Sequence, residues 1–392
     1  MDSFFRTHAY LVEHLHPSIR RHLMDEINWN DRLIGIKGTR GVGKTTFLLQ
    51  YAKEHYHPES RNCLYINLNN FYFTCKPLTE FADEFQMRGG RVLLIDQVFK
   101  YPDWSKDLRY CYDHFPNLKI IFSGSSVMRL KDENPHLSGK AVSYNLRGFS
   151  FREYINLMLG TNYPAYSLQE ILDRHEEIAS EICAEIKPLA YLGDYKHHGF
   201  YPFFLEKRNF SENLLKTMNM MLEVDVLSIK QIEQSYLPKI RKLLYLLTLS
   251  TPGTPNISHL SKEIGTSRAT VMNYLKCLKD ARLINMLYPK NEEFPKKPAM
   301  VYMQNPNLIY SMRQIHAEEQ AVRETFFYNQ IHKDYKVNLG RKGVLFLIEN
   351  KHQFNVLGGI SRKINQDIFY AVDDIEKGKM NLIPLWLFGF LY

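Results

Sequence analysis

Between Leu33 and Phe122 short apolar runs alternate with amphipathic stretches, the rhythm of a parallel α/β sheet. Four strands are expected there, at Leu33–Lys37, Cys63–Leu68, Arg91–Ile95 and Lys119–Ser123. Each is rich in β-branched or aromatic residues and stops where glycine or a polar residue opens a loop. From Ser150 to about Ser250 the period becomes helical, as in Leu214, Met218, Met221 and Leu222. The run Ser250-Thr-Pro-Gly-Thr-Pro255 reads as a loop. Beyond it, Ile257–Ile264, a Gly265-Thr266 turn and a helix capped by Ser267 and running to about Ala281 make a helix-turn-helix unit. Leu283–Tyr288 and Ala299–Tyr302 flank Pro289–Pro298 as a wing hairpin would, and the remainder mixes helix and strand, with Ile383–Tyr392 expected as a buried terminal strand. The division that follows is an α/β domain at 1–150, a helical subdomain at 151–235, a winged helix at 236–300 and an α+β domain at 301–392.

Composition narrows the class only a little. A length of 392 residues fits two or three domains, and 23% charged residues exclude fibrous chains and give no sign of disorder. The formal net charge of +8 admits an anionic partner, and a nucleotide satisfies it as readily as nucleic acid. Cys63, Cys75, Cys111, Cys183 and Cys277 show no CxxC spacing and read as buried or incidental thiols of a reducing compartment. The start, Met1 to Arg6, lacks the charged-then-apolar order of a signal peptide. No run reaches the roughly 18 apolar residues of a membrane helix. A cytoplasmic chain with no membrane partner is expected.

The chemistry concentrates in Gly38-Thr39-Arg40-Gly41-Val42-Gly43-Lys44-Thr45, which matches GxxxxGK[ST] in full, between an apolar strand and a helix opening at Thr46. Glycines in that setting let successive N–H groups face a phosphate, and the helix N-terminus adds partial positive charge. Lys44 is the expected partner of the β- and γ-phosphates of ATP or ADP, and the Thr45 hydroxyl a ligand of Mg²⁺. Val92-Leu-Leu-Ile-Asp96 is an apolar strand ending in the carboxylate expected opposite Thr45 on that metal. Gln97 follows, where many such ATPases carry glutamate. An amide orients water but takes no proton near neutral pH, so intrinsic hydrolysis is expected to be slow. Ser123, ending another strand, is a candidate sensor of the γ-phosphate.

Together these residues resemble the prokaryotic AAA+ superfamily ATPases, close to the STAND-type branch, with a winged helix and a restriction-endonuclease-like C-terminal domain. The likeness rests on Arg32–Thr46, Ile95–Trp104, Phe122–Ser126, Leu146–Tyr154, Gly199–Phe203 and Ile383–Tyr392. It implies that Gly199-Phe-Tyr-Pro202 corresponds to the Gly-x-Pro element whose proline packs near adenine, here with one extra residue, so that Pro202 joins the nucleotide-binding set. The family commonly has aspartate at Asn69 and glutamate at Gln97, and both changes remove negative charge. The resemblance places the nuclease acids at Glu324, Leu345 and Asn355, with Leu357 where the lysine belongs, so a nuclease-like fold with an empty centre is implied. A second register offers Glu349-Asn350-Lys351 with Asp334, but Glu349–His352 lies between two apolar alternations, as a hairpin turn would. Glu324 is then expected as a remnant or as a partner of Arg362 or Lys363. Arginine-finger candidates are Arg129, Lys140 and Arg147.

The leading expectation is an ATP-dependent switch with weak or partner-dependent ATPase activity. One rival is a DNA-binding regulator that uses Arg268, Asn273, Lys276, Lys279 and Arg282 of the winged helix, with ATP structural. Another is an ATP-regulated nuclease. DNA or protein is the partner expected for the winged helix and the C-terminal domain.

Overall fold

The four expected strands form, with a fifth, one parallel sheet in the computed structural model. They are β1 (Leu33–Gly38), β2 (Cys63–Asn67), β3 (Val92–Asp96), β4 (Lys119–Ser125) and β5 (Val142–Asn145), ordered β2-β3-β4-β1-β5. All of residues 1–392 are described except 18, 127–133, 135, 207–208, 229–231, 251–252, 314–316 and 361–363 and the side chains of 228 and 250. The continuous apolar runs of β1 to β4 follow from burial on both faces of the sheet. Strand β5 escaped the pattern because Val142-Ser-Tyr-Asn145 sits at the sheet edge with both ends exposed. The chain divides into two compact units, Met1–Gly148 and Phe149–Tyr392.

Within the first unit, strand β4 lies between β1 and β3, and all three end on the same side of the sheet. That side is where open α/β sheets hold ligands. The N-terminal helix Asp2–Glu13 packs Phe4 on Tyr72 and Phe81, while its buried His8 accepts the Tyr65 N–H of β2 through Nδ1 at 3.0 Å.

The second unit begins with the helix Phe151–Leu159, whose Ser150 cap and Glu153 satisfy each other's backbone N–H groups in a capping box. Helices Leu168–Glu185, Pro188–Asp194, Phe210–Met220 and Leu237–Ser250 follow, with π-helical turns at Tyr195–Gly199 and Met221–Ser228. Helices Ile257–Glu263 and Arg268–Asp280 meet at Gly265 (φ 61°), and the Ser267 hydroxyl accepts the Thr270 N–H, the cap read from sequence. The hairpin β6 (Ile284–Leu287) and β7 (Met300–Met303) comes next, antiparallel. A second, mixed sheet holds β8 (Val337–Leu339), β9 (Phe346–Ile348), β10 (His352–Leu357), β11 (Phe369–Val372) and β12 (Leu382–Pro384) in the order β12-β11-β10-β9-β8. Glu349 and Asn350 turn β9 into β10 with φ of 51° and 54°, so Glu349–His352 is the expected hairpin turn.

The end of the chain corrects the strand expected over Ile383–Tyr392. Only Leu382–Pro384 pairs; Leu385–Phe390 then winds into a 3₁₀ helix with every residue buried. An unbroken apolar run marks burial on all sides and cannot by itself distinguish strand from helix. Pro384 also has no N–H with which to continue a ladder.

Candidate nucleotide site

Strand β1 delivers Gly38 against the backbone of Leu146, and a Cβ there would lie 2.5 Å from the Leu146 carbonyl oxygen. The loop then curls through Gly41 (φ 80°) and Gly43 (φ 90°), left-handed conformations that favour glycine, and enters the helix Lys44–His55. Phe47, Leu48, Leu49 and Tyr51 bury that helix and fix its N-terminus at the loop. Lys44 Nζ donates to the carbonyl oxygens of Gly38 at 2.9 Å and Thr39 at 2.7 Å, so the ammonium is held inside the curl. Arg21, itself buried, donates to the Val42 carbonyl at 3.1 Å and to Arg147 and Gly148 carbonyls at 2.6 and 3.2 Å. Arg40 lies over the Phe99 ring at 5.5 Å, and Thr46 is exposed on the first turn.

Asp96 closes the site. Its Oδ2 accepts the Thr45 hydroxyl at 2.7 Å and the Tyr65 hydroxyl at 2.9 Å. Its Oδ1 accepts the Gln97 N–H at 3.0 Å and the Ser123 hydroxyl. Ser123 is there because β4 adjoins β3 with Ile95 opposite Phe122. Its hydroxyl also accepts the Gln97 N–H at 3.2 Å, so the expected phosphate sensor is bound to the carboxylate. Gln97 adopts a left-handed conformation (φ 56°, ψ 44°), unusual for a residue with a side chain, which aims its N–H at both groups. Burial, and next the charge of Asp96, push the Tyr65 phenol well above its ordinary range, so the group stays a neutral donor. A hydroxyl and a carboxylate facing each other at 2.7 Å are hard oxygen donors of the kind Mg²⁺ takes beside a nucleotide, and the donor set fits that ion.

Other expected residues belong to other elements. Pro202 opens the 3₁₀ turn Pro202–Glu206 in the second unit, and a Cβ on Gly199 would strike the rings of Tyr195 and Tyr154. Asn69 is exposed, its N–H on Asn67 Oδ1 at 2.8 Å, at the rim of a cavity of about 550 Å³ that Phe71, Lys76, Lys100 and Tyr101 also line. Lys140 lies 3.9 Å from Asp113, and Arg147 is buried; Arg129, Arg362 and Lys363 lie outside the described residues. Among the residues expected to face DNA, Arg268 and Asn273 are exposed, whereas Lys276 pairs with Asp280 at 2.8 Å and Lys279 packs over Tyr288. Burial lowers the Lys279 pKa, and Arg282 is half-buried at φ 60°.

In the second unit Glu324, Leu345, Asn355 and Leu357 line one cavity of about 340 Å³, so positions far apart in sequence do converge. The Glu324 carboxylate accepts from Gln320 at 2.8 Å and Tyr302 at 3.2 Å, both neutral partners. Burial raises its pKa. Asn355 Oδ1 accepts the Leu345 N–H at 2.7 Å, while its Nδ2 donates to the Gly343 carbonyl. Glu349 is exposed on the hairpin turn and accepts the Lys336 N–H.

A model of the AAA domain matches residues 30–155, and residues 190–319 match a domain of unknown function (DUF8612). A protein of Methanocaldococcus jannaschii, described as uncharacterized, is 26% identical over 287 residues, which are 69% of this chain and 60% of that protein. The chain thus spans about 60% of the length of that relative. Among solved structures, that of C. elegans PCH-2 aligns with 47% of each chain at 15% identity and a TM-score of 0.24. Residues 30–155 therefore match an AAA-type domain and carry a five-stranded parallel sheet of the P-loop NTPase kind. Among the described residues no helix is long and apolar enough to cross a membrane.

Proposed function

We propose that this chain binds ATP or ADP with Mg²⁺ at Gly38–Thr46 and acts as a nucleotide-dependent switch whose own hydrolysis is slow. The supporting observation is the pairing of Thr45 with Asp96 at 2.7 Å beside a loop that holds Lys44 Nζ on its own carbonyls. Bound phosphate offers that ammonium stronger, charge-assisted partners than neutral carbonyls. Mg²⁺ held there would supply neutralisation of phosphate charge. Thr45 and Asp96 are the residues that would hold it, Asp96 directly or through water. Ser123 and the Gln97 N–H keep the carboxylate turned toward Thr45. Slow turnover follows from Gln97, whose amide can orient a water but cannot accept its proton.

The test is isothermal titration of ADP and ATP into wild type and Lys44→Ala. Micromolar-class binding by wild type and a loss of at least about a hundredfold in the variant is expected, since a charge-assisted contact to phosphate is removed. Unchanged affinity would sink the assignment.

The hairpin β6–β7 beside the two-helix unit keeps a DNA-binding regulator as the second reading. Retention on DNA that survives physiological salt and depends on Arg268 would favour it. The nuclease reading is left with Glu324 alone among the three acid positions, because Leu345 and Asn355 supply no carboxylate.

A further inference from the structure

Tyr65 points a buried phenol at the same carboxylate oxygen that faces Thr45, and nothing in the loop motif requires it. Strand β2 places it there: Asn67 pairs in register with Asp96, so the side chain two residues earlier reaches the carboxylate from the neighbouring strand. The residue is 6% exposed, and its backbone N–H is held by His8 at 3.0 Å, so both ends of Tyr65 are fixed. Ser123 and the Gln97 N–H hold Oδ1, and the phenol and Thr45 hold Oδ2; without the phenol the carboxylate would lose one of its two Oδ2 donors and be freer to turn about its terminal torsion.

We propose that Tyr65 is a positioning residue for the metal: it locks the Asp96 carboxylate in the orientation that meets Thr45 and thereby sets how strongly Mg²⁺ enhances nucleotide binding. The inference rests on the proposed nucleotide site. It differs from a packing role in one respect. Packing would support nucleotide binding with or without metal, whereas an Asp96 lock acts only when metal is present. Groups that orient a metal-binding carboxylate through hydrogen bonds commonly alter metal affinity by 10–100-fold.

The experiment titrates ADP into the 392-residue chain in Mg²⁺ and in EDTA, for wild type and Tyr65→Phe, with Mn²⁺ electron paramagnetic resonance as a direct reading of the metal. Phenylalanine keeps the ring and removes only the hydroxyl. The expected result is an about tenfold smaller Mg²⁺-dependent gain in ADP affinity, weaker Mn²⁺ binding in the ADP complex and unchanged affinity in EDTA. A gain that stays the same or grows, or an equal loss in both buffers, overturns the assignment. Wild-type protein that binds no ADP in either buffer overturns the nucleotide reading and this inference with it.

Discussion

A carboxylate offers about four lone-pair positions, and Asp96 meets four donors: Thr45, Tyr65, Ser123 and the Gln97 backbone. None of them is a base. The side chain next to Asp96 is an amide, and general-base catalysis typically contributes on the order of 10²–10⁴ in rate. Single-turnover hydrolysis by the isolated chain at low concentration should therefore be slow, and Gln97→Glu should raise it by about tenfold or more. A wild type that already turns over at about ten per second, with no gain from glutamate, would contradict the argument. Glutamate matches glutamine in length and branching, so both proteins place the same Cβ and stem on the left-handed backbone at this position.

At the scale of elements, the helix Asp2–Glu13 is tied to β2 through a histidine that must stay neutral. Burial lowers the His8 pKa from 6.5 to about 4, and a proton on Nδ1 would remove the acceptor that holds the Tyr65 N–H. The sign follows from linkage. Between those values the unfolded chain binds the proton and the folded chain does not, so the contribution is full above pH 6.5 and is lost as pH falls toward about 4. The shift corresponds to at most about 3 kcal/mol. Denaturant melts at pH 7 and pH 5 should show about 2 kcal/mol of that loss in wild type and a flatter profile in His8→Asn, whose carbonyl can accept from Tyr65 without titrating. Equal pH dependence in both proteins would remove His8 from the account. The acid-sensitive contact therefore falls on Tyr65 itself, the residue of the proposed metal lock.

For the molecule as a whole, a net charge of +8 attracts polyanions without any specific site. Two of the five basic or polar residues assigned to DNA are exposed, and two of the others are committed to Asp280 and to the Tyr288 ring. Retention on DNA at low salt should accordingly disappear at physiological ionic strength and should not change in Arg268→Ala. A salt-resistant complex weakened by that substitution would shift the reading toward a DNA-binding regulator. Filter binding across a salt series distinguishes the two.

Local chemistry was legible in the sequence because it depends on neighbours along the chain. The phosphate loop needs two glycines at left-handed φ beside a strand and a helix, and Gly41, Gly43, β1 and Lys44–His55 stand in that order. Caps and turns were legible for the same reason, as at Ser267 and Glu349–Asn350. The sequence also named Asp96, but not its company. Tyr65 and Ser123 reach it only through the order β2-β3-β4 and the register of those strands, which no local pattern encodes. The same holds for the cavity that gathers Glu324, Leu345 and Asn355. Where burial is complete, as in Leu385–Phe390, the pattern loses the contrast between faces that reveals a period, and packing alone chose the 3₁₀ helix.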